Sequence, residues 1–365
     1  MTAHHTTILG VDWGTSNRRA YLLDRAGRLL AEHEDGQGML AVGGREYFGP
    51  SLARLLDTMG IGPEVPVLMS GMVGSASGWQ ELPYLDCAAS LDLLPRNAVA
   101  VADPAWAGRA RIVPGYCFRS GTEVDVMRGE ETQLLGAVAM GHRDGWLVLP
   151  GTHCKWVLLR DGVIQRIATY MTGELYAMLS AGGTLAAIIK DGDSADAEGF
   201  AAGLRQAAAR EPLSNSLFRV RAGVVAKAAA PQQAAATVSG LLIGAEFEAA
   251  MRHLGAGGAG GLVDTTGMAE APDAPEPPDA PEPPEPPQAP EPPQAPEPPQ
   301  APEARGTAGD GGVAGAVSPA GITVIGSPAL ARRYATAAAH FGLRCEVLDP
   351  HQVYCAALTQ FLESA

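Results

Sequence analysis

Basic charge is scarce in this sequence: 26 Lys and Arg stand against 40 Asp and Glu, for a net charge of −14. Nine acidic and no basic side chains fall within 270–304, and without that stretch the charge shrinks to −5. Such a chain offers a phosphate backbone little to neutralise, which argues against nucleic acid as its main partner. The five cysteines (87, 117, 154, 345 and 355) form no CxxC pair and share no regular spacing. Reduced thiols in a cytoplasmic protein are therefore expected, with no disulfide framework or zinc site. There is no uninterrupted apolar run of about 18 residues, and the opening MTAHHTTILGVDWG is not a basic segment followed by an apolar one; neither a membrane span nor a secretion signal is expected. Also missing are GK[ST], HExxH and GxSxG, so the Walker loop, the helical zinc site and the nucleophile elbow are excluded. His4 and His5 read as a frayed terminus.

What the sequence does contain is a repeated grammar. TTILGVDW is an apolar run ending at a Gly-rich turn, RRAYLLD alternates, and RLLAEHE follows the Ala26-Gly27 turn. This predicts a meander of three strands, not the strand–loop–helix of a dinucleotide site. A helix is predicted over 46–59 from the shared face of Tyr47, Leu52, Leu55, Leu56 and Met59, then a buried strand at VPVLMSG. Residues 80–125 read as loop-rich, with short strands near 99–102 and 111–113. After a helix over 130–140, the pattern returns: GWLVLPG, a Gly-Thr turn, KWVLLR and VIQRIATYM. Further helices are predicted over 174–179, 195–209 and 234–253, the last with Gly240 and Gly244 on one face. The composition changes from about 255 to 320, where APEPPQ-like repeats predict an extended, solvated insertion that need not pack. Sixteen of the 29 prolines lie in its 270–304 portion. A strand, Gly-Ser turn and helix resume at GITVIGSPALARRY, followed by a strand at RCEVLDP and a helix over 352–362. The insertion is expected inside a domain, because strands on both sides of it are needed for one sheet.

Three Gly turns carry the chemical signal. Asp12-Trp13-Gly14-Thr15-Ser16 closes the first strand. Pro150-Gly151-Thr152-His153-Cys154-Lys155 closes its counterpart, and Gly326-Ser327 joins a strand to a helix. Backbone N–H groups and hydroxyls at such turns suit phosphate oxygens, and a carboxylate at Asp12 suits a magnesium ion held through water. Arg18, by alternation, turns to the opposite face from Arg19 and is expected to point outward.

Asp12-x-Gly-Thr-Ser with Arg19, the turn at 151–152 and the turn at 326–327 together resemble the actin/hexokinase/heat-shock-protein nucleotide-binding superfamily. Within it, MSGMVGS (69–75), VMRGEETQLLGA (126–137), PGTHCKWV (150–157) and MTGELY (171–176) resemble the 2-dehydro-3-deoxygalactonokinases of bacterial galactonate breakdown. The resemblance implies an α/β fold of two ribonuclease H-like (actin-like ATPase) domains, mixed sheets flanked by helices, with ATP in the interdomain cleft. The domains expected are 1–142, carrying the sugar-acid site, and 143–365, carrying the nucleotide. It implies an ATP- and Mg2+-dependent kinase acting on the 6-hydroxyl of 2-dehydro-3-deoxy-D-galactonate. Glu130, with Glu131 beside it, would be the base that accepts the hydroxyl proton. Asp12, as metal residue, Gly14, Thr15, Ser16, Arg19, Gly151, Thr152, His153, Lys155, Gly326 and Ser327 would bind nucleotide or phosphate. Gly71, Met72, Ser75, Trp79, Arg128 and Glu174 would bind the sugar acid, with Arg128 as a carboxylate fork. Helices near 130–141 and 237–253, rich in small residues, are expected to cross at the hinge. A kinase for another sugar acid such as 2-dehydro-3-deoxygluconate, and a non-catalytic nucleotide-dependent binding protein, stay open at this point, as does a homo-oligomer.

Overall fold

The three-strand meander forms as its alternation requires. In a computed structural model, which describes residues 7–190, 193–257 and 321–363, the chain opens with β1 (Thr7–Trp13), β2 (Arg18–Asp24) and β3 (Leu29–Asp35). At the turn between β2 and β3 the Asp24 carboxylate accepts from the amides of Ala26 and Arg28. Short helix α1 (Met39–Val42) and helix α2 (Phe48–Met59) lead to β4 (Val67–Gly71), buried along its whole length. Then come β5 (Leu85–Asp86), α3 (Leu94–Asn97), β6 (Val99–Ala100) and β7 (Ala110–Ile112). A hairpin of β8 (Tyr116–Ser120) and β9 (Glu123–Met127) precedes α4 (Glu130–Ala139). That hairpin lies where only loop was expected: its outward residues, such as Val124 and Val126, are exposed and break the apolar–polar alternation.

The second meander is β10 (Gly145–Leu149), β11 (Cys154–Arg160) and β12 (Val163–Tyr170). Five helices follow: α5 (Thr172–Ala181), α6 (Gly183–Lys190), α7 (Ala197–Ala208), α8 (Leu213–Val225) and α9 (Ala234–Gly257). The chain ends with β13 (Gly321–Ile325), α10 (Pro328–His340), β14 (Arg344–Leu348) and α11 (Pro350–Glu363). The Pro/Glu-rich stretch and the two N-terminal histidines lie outside the described residues.

Two sheets share one scheme. The first runs β3-β2-β1-β4-β7-β6 and the second β12-β11-β10-β13-β14. In each, the three meander strands are antiparallel and the next two lie parallel to the first. This is the strand order of a ribonuclease H-like fold, present twice. β13 pairs with β10, so the strands before and after the Pro-rich stretch do complete one sheet. A small sheet of β5, β8 and β9 stands beside the first.

Apolar faces fix the layers. α2 covers one face of the first sheet through Phe48, Leu52, Leu55 and Leu56. α9 and α10 cover one face of the second through Phe247, Tyr334 and Ala337. Between the sheets lie α4 and α11, sharing a core with Ile8, Tyr21, Leu147 and Val157. The helical stretch 231–252, mostly α9, is long and apolar enough to cross a membrane, yet 78% of its apolar 18-residue window is buried inside the protein. It is a core helix.

Two expectations are corrected. The helix that crosses α4 is α11, not α9. Gly136 lets them touch, since a Cβ there would overlap the Val353 carbonyl oxygen. Gly240 and Gly244 face α7 instead, against Phe200, Leu204 and Ala207. Arg18 does turn away from Arg19, but α2 roofs that face, so Arg18 is buried. It pairs with Asp35 at 2.6 Å, donates to the Ser51 hydroxyl and lies 5.0 Å from the Trp13 ring centroid. Alternation gave the side; only packing decides whether that side sees water.

Candidate active site

The ends of β1, β4, β10 and β13 open onto a common cavity of about 870 Å³. At the first turn the Gly14 amide donates to the Asn17 carbonyl, while the carbonyls of Gly14, Thr15 and Ser16 accept from Met39, Leu40 and Gly38. The amides of Thr15 and Ser16 have no backbone acceptor among the described residues. At the second turn Glu174 donates its amide to the Thr152 carbonyl, and the amides of Gly151, Thr152 and His153 are likewise without one. The third turn, Gly326-Ser327, starts α10, whose first turn has no side-chain cap. Free amides at two strand-end turns and one helix start make a concave wall suited to an anionic, multi-phosphate ligand.

The floor is built by two glycines, the adjacent carboxylates of Glu130 and Glu131, and the charged pair of Glu130 with Lys155. Gly71 (φ 87°) ends β4 with no room for a Cβ, which would lie 2.6 Å from the Trp13 carbonyl oxygen. Gly129 (φ 114°) packs against Gly71 and turns the chain from β9 into α4. The first two residues of α4 then fold their carboxylates back onto free amides. Glu130 Oε2 accepts from Arg128 at 3.1 Å, and Glu131 Oε2 from Gly129 at 2.7 Å. The pair divides at this point. Glu131 is fully buried, does not line the cavity, and is pushed up to about 8 by burial and by the neighbouring Glu130 charge. Glu130 lines the cavity, and its Oε1 lies 3.5 Å from Lys155 Nζ, which rises from β11 on the opposite sheet.

Asp12 lines the cavity from β1, and burial pushes its carboxyl up to about 6, with Glu130 adding to the rise and Arg19 opposing it. Arg19, opposite Asp12 in the strand register, pairs with Glu34 at 3.0 Å on the cavity wall. Among the described residues no three His, Cys, Asp or Glu gather as a closed metal cage. A single half-buried carboxylate beside free turn amides suits a magnesium ion that draws its remaining ligands from phosphate and water. Across the cavity, Arg128 donates to the Leu82 carbonyl at 2.8 Å and lies 4.4 Å from the Tyr84 ring centroid. Its Nε and Nη1 are buried with no hydrogen-bond partner. A guanidinium held over a ring with two unpartnered donors suits a planar anion such as a carboxylate.

Of the residues singled out from the sequence, Asp12, Gly14, Thr15, Arg19, Gly71, Met72, Arg128, Glu130, Gly151, Thr152, His153, Lys155, Gly326 and Ser327 line this cavity. Five do not. Ser16 is exposed on the outside of its turn, and the Ser75 hydroxyl donates to the Met72 carbonyl. Trp79 is packed between Phe48 and Trp106. Glu131 is inside, and Glu174 reaches the rim only through His153 Nε2 at 2.6 Å. The cavity also takes in Tyr21, Tyr84, Val126, Gln133, His351 and Tyr354. Tyr21 follows Arg19 by two on a strand and Gln133 follows Glu130 by three on a helix, so periodicity could have found both. His351 and Tyr354 arrive with α11, and nothing local marks them.

A family model described as 2-keto-3-deoxy-galactonokinase matches residues 12–271. The chain is 35% identical over 249 residues to a Rhizobium meliloti (strain 1021) protein named "Probable 2-dehydro-3-deoxygalactonokinase DgoK1", covering 67% of this chain and 80% of that one. It is 35% identical over 252 residues to the 2-dehydro-3-deoxygalactonokinase of Escherichia coli (strain K12), covering 69% and 82% respectively. A crystal structure of a Sinorhizobium meliloti protein to which the same activity has been attributed superposes with a TM-score of 0.73 at 28% identity, covering 98% of each chain.

Proposed function

This chain belongs to the 2-keto-3-deoxy-galactonokinase family, and from that premise we propose that it transfers the γ-phosphoryl group of ATP to the 6-hydroxyl of 2-dehydro-3-deoxy-D-galactonate. The products are ADP and the 6-phosphate, and the step belongs to galactonate breakdown in the cytoplasm. The observation that carries the reading is the pairing of Glu130 with Lys155 at 3.5 Å between two phosphate-type turns.

The sugar O6 attacks the γ-phosphorus in line as the bond to the β,γ-bridging oxygen breaks. Glu130 takes the O6 proton, which turns a weak nucleophile into a competent one at the moment of attack. Lys155, the Thr15 and Thr152 hydroxyls and the free turn amides hold phosphate oxygens, with Arg19 at the wall. Asp12 would hold a magnesium ion, which when bound neutralises charge on the β- and γ-oxygens. Arg128, whose Nε and Nη1 have no partner, receives the sugar-acid carboxylate and fixes the far end so that the 6-hydroxyl meets Glu130. The chain divides near residue 142 into two moving halves, and closure about the α4–α11 crossing excludes water that would otherwise hydrolyse ATP.

A coupled ADP-release assay with ATP, magnesium and sugar acids tests this. Turnover on 2-dehydro-3-deoxy-D-galactonate, slow turnover on the gluconate epimer and little ADP release without acceptor are expected. Preference for the epimer would overturn the substrate, and no acceptor stimulation would overturn the kinase.

A further inference from the structure

Behind the second phosphate turn, a carboxylate is buried on a largely apolar helix. Glu246 of α9 is 3% exposed and stands next to the fully buried Phe247. Its Oε1 accepts from Trp156 Nε1 at 2.7 Å. Its Oε2 accepts from the Thr172 hydroxyl at 2.5 Å and the Tyr334 hydroxyl at 2.8 Å. The buried Cys154 thiol lies beside these groups and favours the charged carboxylate. A buried carboxylate is a poor way to gain stability, because desolvation offsets most of what its partners return. An apolar side chain would fill the space at less cost. What Glu246 adds is geometry.

The donors show where that geometry goes. Trp156 belongs to the sheet itself. Thr172 is the first residue of α5, and the next two residues grip the turn at 151–152. Gly173 packs so tightly that a Cβ would overlap the Gly151 carbonyl oxygen, and Glu174 donates its amide to the Thr152 carbonyl at 2.9 Å. Tyr334 stands on α10, the helix that begins at Gly326-Ser327. With Pro150, Gly151, Arg333 and Leu330, Thr172 and Tyr334 also line a second cavity of about 70 Å³. One carboxylate oxygen thus holds two elements, one packed on the 151–152 turn and the other begun by the Gly326-Ser327 turn.

We infer that Glu246 is a positioning residue that sets the affinity for ATP without touching it, by fixing the 151–152 turn and the start of α10 relative to each other through Thr172 and Tyr334. The inference rests on the ATP-dependent reading of the cavity above.

The test compares Thr172→Val, Tyr334→Phe, Glu246→Leu and Glu246→Gln with Trp156→Phe, which loses the donor on the sheet side together with some core volume. Each is measured for ADP binding by calorimetry, KM for ATP and for the sugar acid, and melting temperature. Thr172→Val, Tyr334→Phe and Glu246→Leu are expected to weaken ADP binding and raise KM for ATP about tenfold, leaving the sugar-acid KM within about twofold. Glu246→Gln should recover most of the loss, since its carbonyl can take the Trp156 N–H and its amide can donate to the two hydroxyl oxygens. Trp156→Phe should lower the melting temperature and leave ADP binding alone. If Glu246→Leu does not fold, the two hydroxyl deletions decide. Unchanged ADP binding in both, or equal rises in the two KM values, overturns the inference. A wild-type protein that binds ADP but turns over no sugar acid overturns the kinase and leaves Glu246 to be judged on binding. One that binds no nucleotide overturns both.

Discussion

The first and second sheets share an order of strands, yet they place opposite chemistry at the same point. Opposite Arg19 in the first meander stands Asp12; opposite Lys155 in the second stands Leu149. The backbone scheme dictates where the turns fall and which amides are left free. A single side chain per sheet then makes one turn suited to a metal ion and the other to phosphate alone. Duplicated topology supplies a symmetric frame, and the reaction needs an asymmetric one. Glu130, entering from the connection between the sheets, belongs to neither meander, and in the proposed mechanism it would supply the base.

The largest effect expected from breaking this arrangement is at Glu130. Glu130→Gln should cut kcat by about 10³-fold while nucleotide still binds, whereas Glu131→Gln should stay within a few-fold, as read by steady-state kinetics. Loss in Glu131→Gln alone would exchange their roles. Next comes Asp12. Its carboxyl is raised from 3.8 to about 6, so folding favours the neutral form, and stability is lost as pH rises through that interval. Asp12→Asn escapes that loss. In urea titrations it should be more stable than wild type by about 2–3 kcal/mol above pH 6, with the difference closing towards pH 4. Its turnover should fall at least 10²-fold, because the amide binds magnesium poorly. No counterpart of this trade exists at Leu149, which sharpens the contrast between the sheets.

The same pKa sets a pH profile. Wild-type kcat/KM should decline as pH drops below about 6, as Asp12 takes up a proton and loses its hold on the metal; a flat profile down to pH 5 would remove Asp12 from that role. The smallest effect concerns the helices that flank the sheets. Gly136→Ala forces α4 from α11 at a backbone carbonyl and should cost about 1–3 kcal/mol in thermal melts. Gly244→Ala meets the Ala207 side chain on α7 instead, so its penalty should be structural, with no change in KM for either substrate.

Much of the site was legible because it is local. A turn at the end of an apolar strand leaves amides free whatever surrounds it, so the turns at Gly14, Gly151 and Gly326 could be located from short stretches of sequence. The pairing of Asp12 with Arg19 follows from a short meander register. Helix-start carboxylates at 130 and 131 were visible as a pair, but the sequence could not separate them. Their roles depend on which one Lys155 faces, and Lys155 comes from another sheet. Trp79 illustrates the opposite error: an aromatic beside a Gly-rich loop reads as a binding residue, while here it fills the core under α2.

The sequence by itself determined the two meanders, the free amides at their ends and the charges beside them, because strand alternation and turn geometry act over a few residues. Tertiary structure alone decided that α11 returns to cross α4, that His351 and Tyr354 reach the cavity, that α2 roofs Arg18, and that three donors converge on Glu246. These depend on which apolar faces cover one another. That is settled by burying the whole surface at once, between residues 33 to more than 200 positions apart, and no short window of sequence records it.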